Sequence, residues 1–415
     1  MSESSAEAKI ITESEEQKDS FKNLIAIKDY RLLIAGQFVS ALGDGVYALS
    51  LIWAMKILTG SALLMSFVLA AEVVPTILFG IISGVLVDRG NQKMYMLLAD
   101  IFRGIVVVTL VLLFWFNMLN PWMLIAAAVL VSSFDAFFLP AKTVAIKTIV
   151  PDHLMTRAQS VSATIQTVVG LAAPALAGVL LLYSLSTAFL FNAATFFISF
   201  LFILFIKNKA LSEKSTEKLN LKIFGKDLKT GFKTIVKVPI LRGMIIYLVL
   251  INFMLAPIAI LFPLFVDNVS QLAIVEIAFF IGILVGSISI NFMNKFPKIV
   301  PMVTGLILML GAFGALAFTN NFIIITALVA IAGIGSPLVS IALQSLFMVK
   351  VPREVLGRSQ STMRVLLESS KPISLLLTGA LLVHFSISSF FLGIAIFGGI
   401  VVLMMILNPV IRKAE

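Results

Sequence analysis

Val150-Pro151 runs into Arg157-Ala158-Gln159-Ser160, and Val351-Pro352 runs into Arg358-Ser359-Gln360-Ser361 with the same Pro-to-Arg spacing. Each phrase opens an apolar stretch, and Gly178 and Gly379 fall at the same 201-residue offset. A match of this kind in a membrane chain means that the two halves are parallel copies of one helical bundle. Such duplicated bundles are an architecture of secondary transport.

The membrane reading comes from composition. Hydrophobic residues make up 60% of the chain and charged residues 13%, too few charges to keep a soluble protein dispersed. Mean hydropathy is +1.08. Apolar runs long enough to cross a hydrocarbon core of about 30 Å recur throughout. Twelve are expected, at 32–57, 63–87, 94–116, 121–141, 158–183, 186–206, 241–266, 270–293, 299–318, 321–348, 357–384 and 386–407. None alternates polar with apolar as barrel strands do, so the fold class is all-α, with twelve transmembrane helices in two pseudo-symmetric six-helix bundles.

Charge sets the orientation. With the N-terminus placed inside, 27 of the 31 Lys and Arg residues fall in inner loops, Lys56 is at most an outer one, and Arg103, Arg364 and Lys371 lie within helices. That asymmetry predicts both termini in the cytoplasm. It also assigns the net charge of +10 to topology and anionic lipid, so no nucleic-acid partner is expected. Residues 1–20 are polar and acidic without an apolar core, which reads as a cytoplasmic tail and not as a signal peptide. Cysteine is absent and the two histidines, His153 and His384, are far apart, so neither disulfides nor a metal centre are expected. No phosphate-binding G-x-x-x-x-G-K-[ST] loop and no nucleophile–base pair occurs, so no cofactor and no enzymatic activity are expected.

The chain divides into the tail 1–20, a first bundle over 21–206, a linker over 207–240, a second bundle over 241–408 and a tail over 409–415. In the linker Leu221, Phe224, Leu228, Phe232 and Ile235 recur every three or four residues, predicting an amphipathic helix on the inner membrane surface. Residues 20–31 predict a shorter one, with Phe21, Leu24 and Ile25 dipping into the interface. The repeat also pairs Gly84 with Gly286 and Lys93 with Lys295, but Ile290 and Asn291 replace Asp88 and Arg89 in the second copy.

The loop after the second segment reads Gly84-Val-Leu-Val-Asp88-Arg89-Gly90-Asn91-Gln92-Lys93. Small residues permit close helix approach, and an Asp at a helix end can bind the positive N-terminus of a neighbour. The stretch resembles the G-x-x-x-D-R-x-G-x-K signature of the major facilitator superfamily, with Asn91 at the second Gly. The resemblance implies a conformational switch at Gly84, Asp88, Arg89 and Lys93, extended here to Asp100 and Arg103. Ala173-Pro174-Ala175-Leu176-Ala177-Gly178 is similar to the G-P-x-x-G-G motif of drug:proton antiporters; Pro174 and Gly178 would bend and pack that helix. Within the superfamily the chain resembles the macrolide-efflux-like branch, on Gly36-Gln37, Gly43-Asp44-Gly45, Thr59-Gly60-Ser61-Ala62, Phe262-Pro263-Leu264, Glu276 and Leu356-Gly357-Arg358. Siderophore exporters share that branch.

A charge at membrane depth is costly and needs a partner, water or a task. Asp44, Glu72, Asp135, Glu276 and Glu368 are the proton-coupling candidates. Asp44 and Glu72 lead, because neither has a cation within two turns of its own helix, and such a buried carboxylate can exchange protons near neutral pH. A structural role for Asp44 between Gly43 and Gly45 is the rival. Asp100 and Arg103, three apart, predict a local ion pair; Lys142, two turns from Asp135, is expected to reach the inner headgroups. Arg364, Glu368 and Lys371 share one helix face, where Glu368 can pair with either cation or release it in a proton-coupled switch. Family analogy directs Gln166, Asn252, Met254, Pro257, Phe262 and Gln344 to the substrate cavity. The sum is an expectation of proton-coupled efflux of small hydrophobic or amphipathic compounds by a monomer in a bacterial cytoplasmic membrane. The alternatives are lipid or siderophore export by the same fold, and a non-transporting sensor or scaffold.

Overall fold

The computed structural model describes residues 21–212, 232–233, 236–237, 239–293, 295–351 and 356–409. Among them there is no strand. The first bundle holds α2 (Lys28–Thr59), α3 (Ala62–Arg89), α4 (Gln92–Trp115), α5 (Pro121–Ile149), α6 (Met155–Tyr183) and α7 (Leu185–Leu204), preceded by the short α1 (Phe21–Ala26). The second holds α8 (Pro239–Leu255), α9 (Ile258–Phe265), α10 (Val269–Ser289), α11 (Ile299–Leu316), α12 (Phe322–Lys350), α13 (Leu356–Leu381) and α14 (Ile387–Leu407). Eleven spans are long and apolar enough to cross a membrane, with α8 and α9 counted as one. The twelfth, α13, has the length, 26 residues, but carries Arg364, Glu368 and Lys371.

The face at which α2 starts is here called terminal and the opposite face, at which it ends, distal. The six helices that start at the distal face are all capped by side chains. Ser61, Asn120, Ser184, Asn268, Asn321 and Ser386 each accept a bond from a backbone N–H in the first turn. A cap satisfies a donor left free by the helical pattern, which is the reason these segments start where they do.

Leu24 of α1 corrects the interfacial expectation. It is fully buried beside Leu33, Ile34, Val150 and Leu154, so α1 docks on the first bundle through that side chain while Phe21 stays half exposed. The predicted linker helix, the two tails and part of the second Val-Pro phrase (Pro352) lie outside the described residues, as do the side chains of Asp88, Arg89, Arg358 and Arg364.

The expected seventh segment is not one helix. It breaks between Leu255 and Ile258, because Pro257 has no N–H to give to the carbonyl of Phe253 four residues earlier. The Ser374 hydroxyl of α13 donates to that freed Phe253 carbonyl instead. The inner piece, α8, packs on α13 and α14, whereas α9 also packs on α2 and α3 of the other bundle.

Two further seams join the bundles, α6 with α10 and α3 with α13. The glycines flagged by the repeat sit in them. A Cβ on Gly178 would stand 2.7 Å from Cβ of Ala273, and one on Gly379 would collide with Ser66 and approach Ala62 O to 3.0 Å. These contacts lie in the distal halves of their helices. Lys56 adds a third contact there, donating to the carbonyl oxygen of Val266 at the end of α9 over 2.7 Å while lying over the Trp53 ring. Nearer the terminal face, a Cβ on Gly84 of α3 would meet no described neighbour within 4 Å. Among the described residues, the close approach expected at Gly84 is absent in this conformation. Gly286, its counterpart, is packed against Ile334 and Pro337 of α12.

Candidate functional site

A cavity of about 520 Å³ lies between the bundles, walled by α2, α6, α9 and α10. Gly45, Leu49 and Ile52 form the α2 wall, Gly170, Ala173 and Pro174 part of the α6 wall, and Phe280 and Glu276 face them from α10. Gly170 is required here: the Phe280 ring occupies the place its Cβ would take. Glu276 is the only charged side chain on these walls, and among the described residues it has no hydrogen-bond or ion-pair partner.

Gln166 belongs also to a second cavity of about 590 Å³ nearer the terminal face. Lys142, Lys147 and Asp152 lie on its walls with Gln37 and Gln159. Lys142 thus faces this space, not the headgroups as expected, because its position on α5 turns it inward. The two cavities share only Gln166, and the second is lined by first-bundle residues alone, two cations and one carboxylate among them.

The other predicted cavity residues scatter. Met254 and Pro257 line a separate apolar groove of about 260 Å³ between the broken helix, α13 and α14. Phe262 is buried, edge-on to Phe313. Asn252 donates to Leu248 O of its own helix, and Gln344 is exposed on α12.

The charges of the first bundle form one cluster. Arg103 is buried and pairs with Asp100, as expected; it also pairs with Asp135, with Nη1 2.9 Å from Oδ1. The Phe138 and Phe196 rings lie 4.5 and 4.4 Å from its guanidinium carbon, so the cation is held by π-faces as well as carboxylates. Asp44 lies within Coulombic range of Arg103, Asp135, Asp100 and Lys142. The absence of a cation along its own helix was therefore misleading, since α4 and α5 supply two. Three carboxylates face two cations, and one negative charge is left over unless a proton neutralises it. Tyr47, one turn further along α2, lies within Coulombic range of both Asp44 and Glu72. Glu72 has no ion-pair partner among the described residues.

Of the residues read as a switch, Lys93, Asp100 and Arg103 make their described polar contacts inside the first bundle. Lys93 donates to Leu204 O and Ile206 O over 2.9 and 2.6 Å, capping the end of α7 in its own bundle. Asp100 and Arg103 likewise pair only inside the first bundle. On α13, Lys371 pairs with Glu368 at 2.8 Å, and both side chains are about one-third exposed.

Two bundles of six spans around a cavity of this kind define a membrane transporter, and the family model of the Major Facilitator Superfamily matches residues 33–371. The chain belongs to that superfamily and is a transporter, not an enzyme. Macrolide efflux protein A of Streptococcus pyogenes is 25% identical over 388 residues, 91% of this chain and 95% of that one. An uncharacterized MFS-type transporter of Bacillus subtilis, YfiS, is 30% identical over 227 residues, 54% of this chain and 52% of its own length. The resemblance to the macrolide-efflux branch is thereby borne out. Among solved structures, a POT family transporter in complex with 5-aminolevulinic acid superposes with a TM-score of 0.73 at 12% identity, covering 92% of this chain and 96% of that one. A bacterial homologue of the iron transporter ferroportin gives 0.72 at 13% identity, covering 93% and 100%. At these identities the superpositions speak for the fold.

Proposed function

We propose that the chain exports hydrophobic or amphipathic small molecules across a bacterial cytoplasmic membrane by alternating access, exchanging them for protons, with both termini in the cytoplasm. The observation that carries this reading is the predominantly apolar cavity between the bundles, with the seams around it closely packed at Gly178 and Gly379. A site between two bundles is what a rocking mechanism needs. Relatives named for macrolide efflux support export over import. The surplus carboxylate around Asp44, together with unpaired Glu72, supplies groups that can carry a proton in the opposite direction.

The deciding experiment is accumulation of dyes, macrolides and cationic drugs in cells with and without the chain, each with and without an uncoupler. Reduced accumulation that the uncoupler restores is expected. Unchanged accumulation across all three classes overturns the export reading. Uncoupler-insensitive export, as from a lipid or siderophore exporter not driven by protons, overturns proton coupling alone.

A further inference from the structure

We propose that Glu276 is the counter-charge for a ligand ammonium, and that the cavity between the bundles selects monocationic amphiphiles. The proposal rests on the export reading above and specifies its substrate class.

Glu276 sits in the outer half of α10, one turn beyond Leu272 and one turn before Phe280, and all three face the cavity. A carboxylate at that depth has lost most of its water and is costly unless something replaces it. Nothing in the protein does so: it has no cation, hydroxyl or amide partner among the described residues. The other in-membrane acids differ. Asp100 and Asp135 have Arg103, Glu368 has Lys371, and Asp44 has the field of Arg103 and Lys142. Glu72 is also unpaired but does not line the inter-bundle cavity. Among these acids Glu276 is therefore the one both unpartnered and open to the space between the bundles.

Size and polarity define the ligand further. A volume of about 520 Å³ fits a drug-sized body, and the walls beside Glu276 are Leu49, Ile52, Val169, Leu272 and Phe280, which offer an apolar solute contact and no second charge. A dication would leave one charge unpaired in these walls, and an anion would face Glu276. The cavity thus reads charge.

Two ions of the same shape and opposite charge test this directly. Binding of radiolabelled tetraphenylphosphonium and tetraphenylborate to the purified full-length chain is measured by scintillation proximity, with the neutral dye Nile red as a third probe. Expected is binding of tetraphenylphosphonium and Nile red but not of tetraphenylborate. Glu276→Gln should weaken the phosphonium at least about tenfold while leaving Nile red within about twofold, and Glu276→Asp should restore most of the phosphonium affinity. Nile red retention reports that Glu276→Gln is folded. Equal binding of both ions, or unchanged phosphonium affinity in Glu276→Gln, overturns the proposal and leaves export untouched. Binding as expected without any effect on cellular accumulation leaves the counter-charge standing and removes the export reading. Failure of all three probes to bind the unmodified chain overturns the proposal.

Discussion

Lys56 Nζ stands 2.7 Å from the carbonyl oxygen of Val266, the residue that ends α9. The two residues come from opposite bundles, so one charge-assisted hydrogen bond ties the bundles together at the distal face. The acceptor is one of the carbonyls a helix leaves free at its C-terminus, where a cation is favoured. A hydrogen bond to a charged group contributes about 1.5–3 kcal/mol, so its loss should move the open–closed balance by roughly tenfold or more. Lys56→Leu is accordingly expected to favour opening of the distal face. The chain has no cysteine, which makes Ala48→Cys, on the cavity wall, a clean reporter. An impermeant maleimide added from the distal side should label it faster in Lys56→Leu than in the Lys56 background; equal rates would assign closure to the helix seams alone.

Those seams carry their own prediction. Gly379 has no space for a side chain against Ser66 and Ala62, and Gly178 meets Ala273 with little more. Adding bulk to a packed seam costs about 1–3 kcal/mol by forcing neighbours off their rotamers. Gly379→Val should therefore raise the same maleimide labelling at Ala48→Cys, and Gly178→Ala should raise it less. Unchanged labelling in Gly379→Val would mean that α3 and α13 separate without affecting the cavity.

Arg103 shows which charges hold the first bundle together. It is the largest fully buried side chain and answers two carboxylates from two helices. Removing the cation strands a buried Asp100, for which about 3–5 kcal/mol of destabilisation is the usual magnitude. Arg103→Met should lower the melting temperature in detergent sharply, Arg103→Met with Asp100→Leu should recover much of it, and Asp135→Asn, whose carboxylate is half exposed, should change it least. A double variant no more stable than Arg103→Met would place the energy in the Phe138 and Phe196 contacts.

This ion pair also marks where reading the sequence stops. Span positions were legible to within a few residues over most of their length, because twenty apolar residues in lipid have one stable form. The close approach at Gly178 and Gly379 was foreshadowed by their shared offset, since a repeat keeps the residues its packing needs. The distal ends had a signal that was passed over: Ser61, Asn120, Ser184, Asn268, Asn321 and Ser386 each precede a span and cap it. Local pairs such as Asp100 with Arg103, and Glu368 with Lys371, follow from spacing on one helix. What joins different helices does not. Lys142 was sent to the headgroups, Asp135 was given no partner, and Asp44 was thought to lack a cation, because the rotation of α4 and α5 about their axes is set by packing. Family analogy named six cavity residues, and of these only Gln166 lines the inter-bundle cavity. Analogy supplied neither the other side chains that line it nor two of the helices that wall it, α6 and α10.

The break at Pro257 gives a test with a built-in rescue. Pro257 frees the Phe253 carbonyl, and the Ser374 hydroxyl of α13 satisfies it. In Ser374→Ala that carbonyl is left buried and unpaired, costing about 1–3 kcal/mol. Pro257→Ala restores an N–H to the same carbonyl, so Ser374→Ala with Pro257→Ala should melt higher than Ser374→Ala alone. Transport should move the other way. A continuous helix would couple α9 rigidly to α8, and the double variant is expected to bind Nile red normally yet turn over more slowly. Full transport in the double variant would show that the break matters for packing only.

Proton coupling is most sharply tested at Asp44, where three carboxylates meet Arg103 and Lys142. If the surplus negative charge is where a proton binds and leaves, Asp44→Asn fixes that region in its neutralised form. Proteoliposomes holding Asp44→Asn should then lose substrate movement driven by a pH gradient by roughly the 10²-fold or more expected when a positioned proton-transfer group is removed. Exchange of labelled for unlabelled substrate needs no net proton movement and should persist. Glu72→Gln separates the two candidates: if it alone abolishes gradient-driven transport, the essential proton resides on Glu72. Gradient-driven transport retained in the double variant would remove both, and the remaining acid open to the cavity, Glu276, would have to serve the proton and the ligand cation by turns.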